Sequence, residues 1–247
     1  MGYTIITGKK NDLEAETAFF VPKDFKGEVQ KVTLTNTGSA SKTFTLFSFL
    51  EWCLWNAEDD STNFQRNFNT GEVEVEGNTL FHKTEYKERR DHFAFYTVTN
   101  ADIDGYDCDR ESFVGLYNGF DKPDAVFEGK SKNSKADGWS PIASHSLNIT
   151  LNAGEKKELV FVLGYVENGE DKWNADGSMK KDTAYKMIEQ FNTPEKADQG
   201  LAALKADWDA LLSKYTVKTP DEKVDRMVNI WNQYQCMVTF NMSRSAS

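Results

Sequence analysis

The feature that most constrains this chain is a change of hydrophobic period along its length. Over roughly the first two-thirds, apolar and polar residues alternate in short runs, and beyond that apolar positions recur at helical spacing. Leu13-Glu14-Ala15-Glu16-Thr17-Ala18-Phe19-Phe20-Val21 alternates and stops at Pro22. Val29 and Val32-Thr33-Leu34-Thr35-Asn36 alternate up to Thr37-Gly38-Ser39, and Phe44 and Leu46 mark a third strand. Glu72–Glu76 and Leu80-Phe81-His82 flank Gly77-Asn78, a turn pair suited to a hairpin. Further strands are expected near Phe93–Val98, Ser112–Tyr117, Val126–Gly129, Ser144–Leu151 and Glu158–Tyr165, with Leu151–Glu155 turning between the last two. Gly2-Tyr3-Thr4-Ile5-Ile6-Thr7 enters directly as a strand. Strand after strand without helices leaves apolar sheet faces only each other to cover, which predicts a stacked antiparallel sandwich over residues 1–168.

The period changes near Asn168–Gly177, where Gly169, Asn174, Asp176 and Gly177 read as a linker. Thr193-Pro194-Glu195 supplies an N-cap, a proline at the first helical position and an acid on the positive end of the dipole. Leu201, Leu204, Trp208, Leu211, Leu212 and Tyr215 then recur at helical spacing. Thr219-Pro220-Asp221-Glu222 reads as a capping box opening a second helix, with Val224, Met227, Val228, Trp231, Tyr234, Gln235 and Val238 along one side. The expectation is a helical linker over 169–218 and one long amphipathic helix over 219–247. An apolar face of about four turns normally packs on another helix, and none follows here. A piece cut from a longer protein is the simplest expectation.

Charge and composition narrow the function. Lys and Arg total 29 against 39 Asp and Glu, a formal net charge of −10, which repels phosphate backbones and anionic lipid. No apolar run approaches the roughly 18 residues of a membrane span, and Met1 is followed by neither a basic region nor a signal-like stretch. The expected setting is therefore cytoplasmic, without nucleic acid or membrane partners. Three scattered cysteines, Cys53, Cys108 and Cys236, read as reduced and mostly buried thiols, and three histidines form no metal-ligand pattern. The sequence lacks GxSxG, GxxxxGK[ST] and GxGxxG, so three common catalytic signatures are missing.

The densest polar and aromatic stretch runs from Glu51 to Asn67 and holds Trp52, Trp55, Asn56, Asn63, Gln65, Arg66 and Asn67. Indole faces stack on pyranose C–H surfaces, and amides and guanidinium make directional bonds to hydroxyls, so the stretch suits sugar recognition. The competing reading is that both tryptophans are core. Asp59-Asp60 invites a carboxylate-pair reading, but neighbours on a strand face opposite ways and do not address one bond together. Tyr86–His92 reads as a solvated hairpin end rather than an anion site, and His145 as a packed rather than a catalytic histidine.

Two long stretches go beyond general patterning. Phe49-Leu50-Glu51-Trp52-Cys53-Leu54-Trp55-Asn56, continuing through Asp59–Asn67 to Gly71–Val75, resembles cellobiose phosphorylases, inverting disaccharide phosphorylases of glycoside hydrolase family 94. Asn229-Ile230-Trp231-Asn232-Gln233-Tyr234-Gln235 through Ser247 resembles them too, as do His82–Tyr86, Leu116–Phe120 and Gly138–His145. The resemblance implies a mainly β fold with C-terminal α: an antiparallel, galactose mutarotase-like β-supersandwich, incomplete here, then linker helices and the first helix of an (α/α)6 barrel. It implies inverting phosphorolysis of cellobiose, or a related β-glucoside, to α-glucose 1-phosphate and glucose. Phosphate is a substrate in that reaction, and no cofactor or metal takes part. The general-acid aspartate and phosphate-binding groups would lie beyond Ser247, leaving no catalytic residue in this chain and the chain alone inactive. The resemblance also implies a homodimer in which the sandwich of one subunit reaches over its partner's active site through Asn56–Asn67. Arg66 would meet the acceptor-side sugar, with Gln65, Asn63 and Asn56 lining the entrance. Glu58 stands where the family often has an uncharged residue. From another functional class, a free-standing carbohydrate-binding sandwich without catalysis is the alternative.

Overall fold

The computed structural model describes residues 1–52, 54, 71–84, 92–138, 140–169 and 173–242. Its centre is an eight-stranded antiparallel sheet in the order β1-β2-β3-β12-β8-β7-β6-β10. The strands are β1 (Tyr3–Lys10), β2 (Leu13–Phe20), β3 (Gly27–Asn36), β6 (Gly71–Glu76), β7 (Thr79–Thr84), β8 (His92–Val98), β10 (Asp137–Gly138) and β12 (Lys156–Glu167). A smaller sheet is organised around β11 (Pro141–Leu151), which pairs with β4 (Lys42–Phe47), β5 (Leu50–Glu51) and β9 (Gly105–Asp109). β4 and β5 follow one register along β11, so they act as a single strand interrupted at Ser48 and Phe49.

Alternation along the central strands assigns the two faces of the large sheet. Leu159 and Phe161 of β12, Ala94, Tyr96 and Val98 of β8, and Leu80 of β7 point between the sheets, where Leu147, Ile149 and Leu151 of β11 meet them. Val160, Val162, Phe93, Phe95 and Phe81 point the other way and are covered by Met179, Ala184, Met187, Phe191 and Ala197. The large sheet is thus the middle layer of three. Phe81, Phe93, Phe95, Phe113 and Phe161 are all fully buried, each contributing about 1.5–3 kcal/mol. Much of the aromatic content therefore serves the core.

The covering helices are α3 (Asp182–Glu189) and α4 (Pro194–Leu212). Thr193 caps α4 as its sequence predicts, its hydroxyl accepting from the Lys196 N–H at 3.3 Å. Two predicted strands are instead short helices. Ser112–Tyr117 falls in and after α1 (Arg110–Val114), whose cap Asp109 accepts from the Ser112 N–H at 2.7 Å. Val126–Gly129 falls in α2 (Asp124–Glu128), which follows Pro123 and ends on Gly129 in the left-handed region at φ 68°. Cap chemistry outweighs β-propensity over such short runs, and α1 and α2 cover Ile142 on the outside of the small sheet.

The last helix also departs from its predicted form. Asp221, not Thr219, is the cap, its carboxylate accepting from the Lys223 N–H at 2.9 Å. Glu222 therefore opens α5 (Glu222–Arg226) instead of closing a capping box. A π-helical turn (Met227–Asn232) follows, then α6 (Gln233–Met242), and no residue of the three segments is buried. Among the described residues no helix is long and apolar enough to cross a membrane.

Candidate functional site

Chain pairing brings together the two ends of the stretch in which the sequence places sugar recognition. At its start, β5 runs along β11 and the Trp52 N–H donates to the Pro141 carbonyl at 3.5 Å. Trp52 then turns inward and stacks on His82 of β7, with centroids 5.3 Å apart and planes 21° apart. At its end, Gly71 opens β6 against the same residue. A Cβ at position 71 would lie 2.6 Å from the Lys83 carbonyl oxygen and closer still to the His82 ring, so only glycine fits. His82 therefore touches the described residues on both sides of the stretch. Asn56, Asn63, Gln65 and Arg66 lie outside the described residues, as do Trp55, Glu58 and the Asp59-Asp60 pair. Trp52 takes the core reading. Beside it, a cleft of about 570 Å³ opens between the sheets, lined by Leu50, Glu51, Trp52, Leu54, Leu163 and Tyr165 among others.

The electrostatics of this end are those of a neutral, buried interior. Burial pushes His82 down to about 4; the Glu72 main chain opposes that shift without reaching hydrogen-bond geometry, and nearby His92 adds to it. Among the described residues neither ring nitrogen of His82 nor the Trp52 Nε1 has a hydrogen-bond partner. His145, likewise pushed down to about 4 by burial, is fully partnered. Its Nε2 lies 3.0 Å from the Asn78 carbonyl, which only accepts, so Nε2 carries the proton and Nδ1 accepts from the Ser48 hydroxyl at 3.0 Å. His145 thus ties the small sheet to the β6–β7 turn, packed against the stacked pair Tyr96 and Phe161 as its sequence context suggests.

The outer face of β6 carries a second polar cluster. Glu72, Glu74 and Glu76 share that face because they alternate with Val73 and Val75. Glu72 pairs with buried Lys83 at 2.7 Å, and the Lys83 ammonium lies 4.8 Å from the Trp173 ring centroid. Lys181 bridges Glu74, at 2.5 Å, and Glu76, which also accepts from the Tyr185 hydroxyl at 2.5 Å. The alternating glutamates signalled a shared face, and Lys83 lies opposite Glu72 across the hairpin, but Lys181 and Tyr185 lie over 100 residues from Glu74 and Glu76 and leave no local signal. These pairs fasten the segment after the sandwich to the sheet.

Neither site has the geometry of a nucleophile beside a base. Burial pushes the Cys108 thiol up to about 12, which makes it unreactive. Cys236 is exposed, contrary to the expectation of mostly buried thiols, because it sits on the side of its helix away from Gln233 and Tyr234, which face α4 and the connector. Among the described residues no three His, Cys, Asp or Glu side chains gather as metal ligands.

Comparison with known proteins gives this arrangement its family. Residues 1–194 match the supersandwich domain of glycosyl hydrolase family 94, and residues 207–247 match the catalytic domain of that superfamily. The chain is 28% identical to an N,N'-diacetylchitobiose phosphorylase of Vibrio proteolyticus, covering 96% of this chain but 28% of the relative. It is 25% identical to the cyclic β-(1,2)-glucan synthase NdvB of Rhizobium meliloti (strain 1021), over all of this chain and 8% of the relative. It is 24% identical to a 3-O-β-D-glucopyranosyl-β-D-glucuronide phosphorylase of Paenibacillus borealis, over all of this chain and 30% of that protein. The chain belongs to glycosyl hydrolase family 94, spanning its supersandwich domain and the start of its catalytic domain.

Proposed function

We propose that this chain is the sandwich, linker and first catalytic helix of an inverting disaccharide phosphorylase. The domains are residues 1–168, 169–218 and 219–247. One observation carries the reading: a supersandwich match and a catalytic-domain match follow each other in a single chain whose last helical segments leave Val224, Met227 and Trp231 about half exposed. The resemblance in sequence favours cellobiose as substrate, cleaved by phosphate to α-glucose 1-phosphate and glucose. In such a reaction one carboxylic acid protonates the leaving oxygen while phosphate attacks the opposite face of the sugar. A carboxylate pair in the sandwich is therefore not required, and the acid belongs to the catalytic domain outside this chain.

The sandwich contributes dimer contacts and the acceptor side of the pocket, with Arg66 on the acceptor sugar and Gln65, Asn63 and Asn56 beside it. The reaction needs no cofactor, and the protein works in the cytoplasm. In the parent enzyme, Arg66→Ala should raise the KM for acceptor glucose in the synthetic direction by about tenfold or more and leave the fold intact. Unchanged synthetic kinetics would refute the assignment. The isolated chain should convert no cellobiose, so glucose 1-phosphate formed by it refutes the division of labour. Saccharide affinity in the isolated chain, read by calorimetry, would favour a free-standing binding module instead.

A further inference from the structure

Between α4 and α5 the chain has no regular structure, yet its main chain is held by a single row of side chains on the helix that follows. The Thr219 N–H donates to the Asp225 carboxylate at 2.8 Å. The Val217 N–H donates to Asn229 Oδ1 at 2.8 Å, and Asn229 Nδ2 returns a bond to the Val217 carbonyl at 2.9 Å. Gln233 Nε2 reaches the carbonyls of Tyr215 at 2.8 Å and Leu212 at 3.1 Å. Asp225, Asn229 and Gln233 follow one another at intervals of four.

In a helix of about 3.6 residues per turn, a row with that interval drifts steadily around the axis. The π turn over Met227–Asn232 winds more loosely, so four residues there fall short of a turn and the drift is taken back. The irregularity thus keeps three polar side chains aimed at one connector. Apolar packing adds a ring contact between Trp208 and Tyr234, whereas Val224, Met227 and Trp231 of the same helix are about half exposed.

Resting on the reading that the sandwich delivers acceptor-site residues, we propose that Asn229 and Gln233 are positioning residues. By clasping residues 212–217 they fix the path on which the sandwich and α4 join the first catalytic helix, and so, through the dimer, hold each sandwich's acceptor-side groups in register with the sugar in the partner's active site. Displacement of such groups weakens their bonds to the acceptor, and each loss of about 1.4 kcal/mol of binding is a tenfold loss of affinity.

The test is made in the full-length parent enzyme with Asn229→Ala, Gln233→Ala and Asn229→Asp, alongside Arg66→Ala. Asn229→Ala and Gln233→Ala should raise the acceptor KM about tenfold, with kcat and the KM for glucose 1-phosphate changed less than about twofold. Asn229→Asp keeps the bond to the Val217 N–H and should recover part of the loss. Amide exchange at Val217 should be slow in the parent and at least about tenfold faster in Asn229→Ala. A lowered thermal midpoint with unchanged KM, beside an Arg66→Ala that does raise it, overturns the positioning role alone. A silent Arg66→Ala overturns the acceptor reading and this proposal with it. Fast exchange at Val217 in the unaltered enzyme overturns the clasp itself.

Discussion

Replacing Lys181 with methionine tests how the segment after the sandwich is fastened to the sheet. The lysine side chain is 7% exposed, against 23% for Glu74 and 48% for Glu76, and its ammonium lies 4.7 Å from the Phe81 ring centroid. Methionine keeps the length and apolar stem but removes the charge. A charge-assisted hydrogen bond contributes about 1.5–3 kcal/mol when buried. Exposure of Glu76 moves its bond toward the lower end, because water screens it. The cation–π contact adds about 0.5–1 kcal/mol, and relief of the buried ammonium's desolvation offsets part of the sum. The net loss expected at pH 7 is about 2–3 kcal/mol, or a fall of about 4–12 °C in Tm for a chain of this size.

The loss should also depend on pH in a defined direction. Hydrogen bonds from Lys181 and then Tyr185 hold the Glu76 carboxyl below its usual range. A carboxyl whose folded pKa is lowered stabilises above the unfolded value of 4.5 and loses that effect as pH falls through the folded value. Burial alone would lower Lys181, but its bonds to Glu74 and Glu76 outweigh burial and raise it, so it remains charged throughout this range. Urea unfolding followed by tryptophan fluorescence should show the full difference between parent and Lys181→Met at pH 7 and a shrinking one as pH is lowered below 4.5. A difference below about 0.5 kcal/mol at pH 7, or one constant across that range, would refute the reasoning.

Two further substitutions probe the end of the sandwich near the proposed sugar-binding stretch. Gly71→Ala forces a methyl against the Lys83 carbonyl and the His82 ring, and should cost about 1–3 kcal/mol in urea unfolding; a neutral result would mean that β6 shifts freely. His82 is neutral when folded and titrates near 6.5 when unfolded, so its contribution is complete above 6.5 and declines as pH falls to about 4. His82→Leu should therefore reduce the slope of the stability profile over that window, leaving the share due to His145, and an unaltered slope would show that the ring is not held neutral by burial.

The sandwich was readable in the sequence because its strands carry a strict two-residue period between strong turn signals. Glu72–Glu76 and Leu80–His82 around Gly77-Asn78 illustrate this, emerging as β6 and β7 in antiparallel register. Thr193-Pro194 was equally local and equally readable. The structure departs from expectation where a short run can satisfy either period. Ser112–Tyr117 and Val126–Gly129 contain alternating apolar residues, and a cap or a proline decided between strand and helix. β9 escaped notice because Gly105-Tyr106-Asp107-Cys108-Asp109 has little β-branched content, and its strand character comes from pairing with β11. Of the candidate site, the sequence indicated the stretch and its sugar-suited chemistry, and Asn56, Asn63, Gln65 and Arg66 lie outside the described residues.

What the sequence determined by itself was period, cap chemistry and charge balance, all of which act over a few residues or over the whole chain at once. Those sufficed for an antiparallel sandwich followed by helices. Only the tertiary structure decided that Trp52 belongs to the core, that Lys181 is buried between two glutamates more than 100 residues earlier, and that Asn229 grips Val217 across an irregular connector. Each depends on groups far apart in the chain, or on main-chain atoms that every residue shares, and neither leaves a mark in local sequence. Folding supplies them because a buried charge or an unpaired peptide group is costly, and the chain must bring a partner to each.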